Sequence, residues 1–134
     1  MHKLLILLSF SVFAHSTITA IAWAQSSYPN RPVRVIVPGA SGSSQDVLAR
    51  VVGNKLAQQM GQSFVVDVRA GASGMIGLDL AKAAAPDGYT LLAATSTLLS
   101  GLPALKPKLQ YDPDRDFLPL SRMASVANIV TVGA

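Results

Sequence analysis

Three stretches of this chain carry the residue types that could hold a ligand. Ser41-Gly42-Ser43-Ser44, with Asp46 just beyond, follows a short β-branched run. Gly71-Ala72-Ser73-Gly74, leading into Met75-Ile76, follows a second run, and Thr95-Ser96 follows a third. Small residues let backbone N–H groups approach a ligand, and a helix N-terminus adds roughly half a positive charge. Together they suit a small anion such as a carboxylate, with no lysine or arginine required. Such turns also serve as ordinary tight turns with helix caps, and Asp46 fits a capping acid as well as a ligand contact. Arg69 fits a solvated loop cation as well as an anion clamp.

Other chemistry is excluded or weak. There is no cysteine, and the only histidines, His2 and His15, lie at the amino terminus. Thiolate catalysis, cysteine-based zinc sites and a histidine-based triad therefore have no residues to use beyond that segment. Gly39-Ala40-Ser41-Gly42-Ser43-Ser44 lacks the Gly-Lys-Ser/Thr ending of a phosphate-binding loop and does not match Gly-x-Gly-x-x-Gly. No Gly-x-Ser-x-Gly elbow is present. Asp112-Pro113-Asp114-Arg115-Asp116 could bind a divalent cation weakly, but a solvated loop is the simpler reading. No catalytic residue, metal site or cofactor is expected.

The elements that must position the three turns are legible. Val33–Val37, Phe64–Val68 and Tyr89–Ala94 read as strands, the first apolar enough to be buried on both faces. Ser43 reads as the N-cap of a helix with Asp46 three residues on, and Gly61 as its left-handed terminator. Leu48, Val51, Val52, Leu56 and Met60 fall on one helical face. Met75–Ala85 reads as a second helix with a stripe of Ile76, Leu80 and Ala84. Pro86-Asp87-Gly88 is a turn, and a weak helix is expected around Leu98–Leu105. Lys106–Asp116 reads as a surface connection, and Leu118–Met123 and Asn128–Val132 as further strands. This order predicts an α/β fold: an open, mostly parallel sheet with helices on both faces. Ligands in such sheets bind at the carboxyl ends of the strands, where all three turns fall.

The 134 residues allow one domain at most. Half are hydrophobic and the formal charge is +4, with the basic residues scattered. Without a basic stripe or stacking platform, no nucleic-acid partner is expected. Met1-His2-Lys3, the apolar Leu4–Phe13 and the Ala22-Trp23-Ala24 stretch read as a signal peptide at 1–24, cleaved after Ala24.

Several runs carry a resemblance. Tyr28–Pro38 resembles the mature N-terminus of the Bug family, also called TctC, the periplasmic substrate-binding proteins of tripartite tricarboxylate transporters. Asp46-Val47-Leu48-Ala49-Arg50, Arg69–Gly77, Ala85–Leu92, Thr95-Ser96 and Tyr111–Phe117 follow in collinear order. The resemblance implies a partial lobe of a type II periplasmic-binding-protein-like fold, with residues 25–134 as an incomplete N-terminal lobe. It implies a small carboxylate ligand, membrane components of a transporter as partners, a monomer and a periplasmic location. It places the ligand against Ser41–Asp46, Gly71–Ile76 and Thr95-Ser96. Family members run to roughly twice this size, in keeping with two domains. The chain departs from the family pattern at Gly39 (usually aromatic), Ser41 (proline), Gln45 (threonine), Ala70 (proline) and Ser73 (glycine). The alternatives are a non-functional fragment and an exported α/β enzyme acting on an acidic substrate.

Overall fold

The computed structural model describes residues 28–106, 108–126 and 131. Its centre is β1 (Val33–Val37), which pairs in parallel with β2 (Phe64–Val68) on one side and β3 (Thr90–Leu92) on the other. The register sets Val33 beside Phe64 and Val37 beside Val68, and Arg34 beside Thr90. The order β2-β1-β3 makes β1 the inner strand, and its Val33, Val35, Ile36 and Val37 are buried as expected. Fully burying such side chains stabilises the fold by about 1.5–3 kcal/mol each.

Helix α1 (Ser44–Met60) covers one face of the sheet. Its Ala49 packs with Val35, Val37 and Ala93, joined by Phe64, Val66, Val68 and Leu91. Helix α2 (Met75–Lys82) covers the other face, where Leu78 packs with Leu98, Tyr111, Leu92 and Met75. Leu91 and Leu92 point into opposite clusters, as alternation along a strand requires.

The terminators of α1 match the expectation. The Ser43 hydroxyl accepts from the Asp46 N–H at 3.3 Å, and Gly61 is left-handed with φ 68°. The expected face matches only in part. Leu48, Val52 and Leu56 are half-buried, but the fully buried positions are Asp46, Ala49 and Gly53, while Val51 is 61% exposed and Met60 is also exposed. Small residues win because the helix lies close to the sheet: a Cβ on Gly53 would sit 3.4 Å from the Phe64 Cβ. The same correction applies to α2, which ends at Lys82 and buries Gly77 and Leu78, leaving Ile76 and Leu80 exposed.

After β3 the chain forms a π-helical turn (Thr97–Gly101) and a short helix α3 (Leu102–Leu105) with Pro103 in its first turn. The Lys106–Asp116 connection contains helix α4 (Pro113–Asp116), capped by the Asp112 carboxylate, which accepts from the Asp114 and Arg115 N–H groups. Tyr111, just before it, is buried, and its hydroxyl donates to the Leu98 carbonyl. Leu118–Met123 forms no strand. Leu118 and Leu120 are exposed, and no neighbouring strand among the described residues supplies the ladder that pairing needs. The leader and, apart from Thr131, the Asn128–Val132 strand lie outside the described residues.

Candidate functional site

The three turns meet at the carboxyl edge of the sheet. The Arg69 N–H donates to the Val37 carbonyl at 2.8 Å, and the Ala93 N–H donates to the Ile36 carbonyl at 2.9 Å. Each turn therefore leaves its strand beside the end of β1. Contact between them is close. A Cβ on Gly74 would lie 3.1 Å from Leu98 Cδ1 and 3.3 Å from the Pro38 carbonyl oxygen. A Cβ on Gly77 would lie 2.9 Å from Pro38 Cα and 3.1 Å from the Arg69 carbonyl oxygen. Glycine at these positions is what lets the second turn close onto the first and third.

In the first turn, Gly42 takes φ 78° and donates its N–H to Asp46 Oδ2 at 2.8 Å. Arg50 Nε lies 2.8 Å from Oδ1 of the same carboxylate, as an ion pair one helical turn on. The Gly42 N–H, with Arg50, holds the Asp46 carboxyl below the usual carboxylate range. Asp46 is buried and points inward, so it braces the loop and does not face the crevice. The N–H groups of Ser44 and Gln45 are the first two donors of α1 and have no partner within the helix. Ser41, Gly42 and Ser44 are exposed.

In the second turn, four successive residues have positive φ: Gly71 128°, Ala72 47°, Ser73 57° and Gly74 91°. This curl exposes Gly71, Ala72 and Ser73 and buries Gly74. Gly74 provides no capping side chain for α2; the Met75 N–H, the first donor of that helix, bonds back to the Ala72 carbonyl, and the Gly74 N–H to the Gly71 carbonyl. Met75 packs into the core with Leu78 and Leu98. Ile76 folds over Gly71, where an added Cβ would meet its Cδ1 at 2.6 Å. These two residues shape the turn from behind.

In the third turn, the Thr95 hydroxyl accepts from the Leu98 N–H at 3.4 Å and acts as a local cap. Ser96 is exposed, and its side chain makes no capping bond. Of the residues expected to hold a ligand, Ser41, Gly42, Ser44, Ala72, Ser73 and Ser96 thus present surface at the converging turns. Asp46, Gly74, Met75, Ile76 and Thr95 support them.

Gln45 was not among the expected contacts. Its side-chain Nε2 donates to the Ala93 carbonyl, joining the first turn of α1 to the end of β3. No local sequence signal marks this bridge, which joins residues 48 apart in the chain.

The charged groups nearby are otherwise engaged. Arg69 Nε pairs with Asp67 Oδ1 at 2.8 Å, and Arg34 Nε donates to Asp67 Oδ2 at 2.7 Å. Arg34, followed by Arg69, holds the Asp67 carboxyl below its ordinary range. Arg69 is therefore an ion-pair partner and not a free anion clamp. A shallow depression lined by Pro32, Arg34, Val65, Asp67 and Arg69 lies over the β1–β2 pair. In the aspartate cluster, Asp116 pairs with Lys82 at 2.7 Å and with Arg115 at 3.0 Å. No group of acidic side chains suited to a metal ion occurs among the described residues.

The family model of the tripartite tricarboxylate transporter family receptor, TctC, matches residues 48–134. The chain belongs to the TctC family. BugT of Bordetella pertussis is 44% identical over 102 residues, covering 75% of this chain and 31% of BugT. A UPF0065 protein of Bordetella bronchiseptica is 40% identical over 108 residues, covering 81% of this chain and 32% of that protein. Among solved structures, a periplasmic transporter superposes with a TM-score of 0.61 at 47% identity, covering 64% of this chain and 29% of the other. MatC of Rhodopseudomonas palustris with bound malate superposes with a TM-score of 0.59 at 36% identity, covering 69% of this chain and 31% of MatC. The chain thus spans about a third of the length of the curated relatives it matches, less than the half implied by the family resemblance. The parallel sheet with helices on both faces is a partial α/β lobe of this TctC architecture.

Proposed function

We propose that this TctC chain supplies one wall of a periplasmic receptor for a small carboxylate, which it hands to the membrane components of a tripartite tricarboxylate transporter. The observation that carries the reading is the convergence of three small-residue turns at the carboxyl ends of the strands. Two of them lead into helix N-termini, and at α1 the first donors have no partner within the helix. In this reading the donors of Ser44 and Gln45, the curl Gly71–Gly74 and the hydroxyl of Ser96 take up the carboxylate oxygens. Residues 1–24 direct export and are removed after Ala24, and residues 25–134 form an incomplete N-terminal lobe that works as a monomer. Binding is non-covalent, strengthened by closure of a second lobe over the ligand. The malate-bound relative MatC supports the ligand class.

The test is a titration of the isotope-labelled full chain with succinate and with malate, followed by amide chemical shifts. One wall alone is expected to bind in the millimolar range, about 4 kcal/mol of affinity. Shifts should concentrate at residues 41–46, 71–76 and 95–96. Shifts elsewhere, or none, overturn the reading.

A further inference from the structure

We propose that Gln45 is a specificity-determining residue of this site, and that its Oε1 selects carboxylates bearing a hydroxyl or ammonium group on the carbon beside the carboxylate. The inference rests on the carboxylate reading above and deepens it.

The orientation of the amide follows from its partner. The Ala93 carbonyl can only accept, so the group facing it is the donating Nε2. Oε1 must then face the other way, toward Gly39. A Cβ at position 39 would lie 2.6 Å from Oε1, 3.7 Å from the Gln45 Cδ and 3.1 Å from Ser43 Oγ. The carboxamide thus occupies the volume that a side chain at 39 would fill, and the two positions share one space. Gly39 lies at the exit of β1, and Ala93 follows β3. The amide therefore spans two of the three converging turns.

An acceptor in that place has a chemical consequence. Gln45 Oε1 can accept a hydrogen bond from a ligand donor but offers none to a bare carboxylate oxygen. The N–H groups of the helix ends accommodate the carboxylate itself. A ligand whose donor stands next to its carboxylate satisfies both at once. A ligand lacking that donor leaves Oε1 desolvated, which is the situation in which hydrogen-bonding sites discriminate.

Malate and succinate have the same length and the same two carboxylates, and differ by one hydroxyl. Titrating the full chain with each, by amide shifts, should show malate bound about threefold to tenfold more tightly. Gln45→Met should bring the malate-to-succinate ratio close to one. Gly39→Ala should lower the ratio by a second route, since it keeps the amide but pushes Oε1 from its place. Either variant, if folded by its spectrum, reports on the proposal. Equal affinities in the parent chain, or a malate preference retained in a folded variant, overturn the role of Gln45 alone. Silence of all three turns toward both acids overturns the carboxylate reading, and this inference with it.

Discussion

The Gly42 N–H donates to Asp46 Oδ2 at 2.8 Å, four residues back along the chain from its acceptor. That bond ties the tip of the first turn to the first turn of α1. It also settles which way Asp46 faces. An outward carboxylate at a helix N-terminus would repel an anionic ligand, whereas an inward one curls the loop and leaves the Ser44 and Gln45 donors free. Asp46→Ala should lower the thermal midpoint by several degrees, and Asp46→Asn by less, because an amide oxygen can still accept from Gly42. Thermal unfolding followed by circular dichroism checks the order. Asn equal to Ala would mean that the Arg50 pair, not the Gly42 bond, holds the turn.

Gly77→Ala tests whether the turns are held together by close backbone contact. The added Cβ meets Pro38 Cα and Cβ at 2.9 Å and the Arg69 carbonyl oxygen at 3.1 Å, all on the rigid exits of β1 and β2. Neither can rotate away as a flexible side chain would. A loss of about 1–3 kcal/mol in a urea titration is expected. Gly53→Ala is the control, since its Cβ meets only ordinary contact at 3.4 Å on the other side of the sheet. Its loss should be smaller, and it gains helix propensity of about 1 kcal/mol.

The first two strands and the turn before the third were legible because they are written locally, whereas the expected strand at Leu118–Met123 does not form. Val33–Val37 and Phe64–Val68 have the expected bounds, and the Pro86-Asp87-Gly88 turn forms with the Asp87 carboxylate accepting from the Tyr89 N–H and Gly88 at φ 81°. Helix faces were not legible, because periodicity rewards large apolar residues. Here α1 and α2 approach the sheet through Ala49, Gly53 and Gly77, and Val51 and Ile76 turn outward. The convergence of the turns follows from topology, but the Gln45 bridge to Ala93 does not. It depends on a distance between residues 48 apart in sequence that no local pattern encodes.

The second turn stores backbone strain that a substitution can release. Ala72 and Ser73 sit in the left-handed region at φ 47° and 57°, which costs about 1–2 kcal/mol for a residue with a Cβ. Ser73→Gly removes that cost at one position and adds about 0.4–1 kcal/mol of unfolded-state entropy. A net gain of about 0.5–1 kcal/mol in a urea titration is expected, with the Gly71–Gly74 curl retained. Ser73→Val should be destabilised by about 1–2 kcal/mol, because a β-branched side chain tolerates this region least. Equal stability of the Gly and Val variants would show that the curl relaxes when position 73 changes.

Acid should unfold the protein through its ion-paired aspartates. Arg34, then Arg69, depress the Asp67 carboxyl below its ordinary 3.8. Lys82, the Asp112 N–H and Arg115 depress that of Asp116, and the Gly42 N–H depresses that of Asp46. A depressed folded value means that, just below 3.8, the unfolded chain binds protons that the folded chain does not. The stability from these pairs is therefore fully present above about pH 5 and is lost as pH falls through 3.8 and on through the lower folded values. Urea midpoints should be level from pH 7 to about 5 and fall steeply below about 4. Asp67→Asn should be less stable at pH 7 and lose less on acidification, so that the two curves draw together at low pH. Curves that stay parallel down to about pH 3 would show that Asp67 titrates alike in the folded and unfolded chains, and that its pairing with Arg34 contributes nothing in solution.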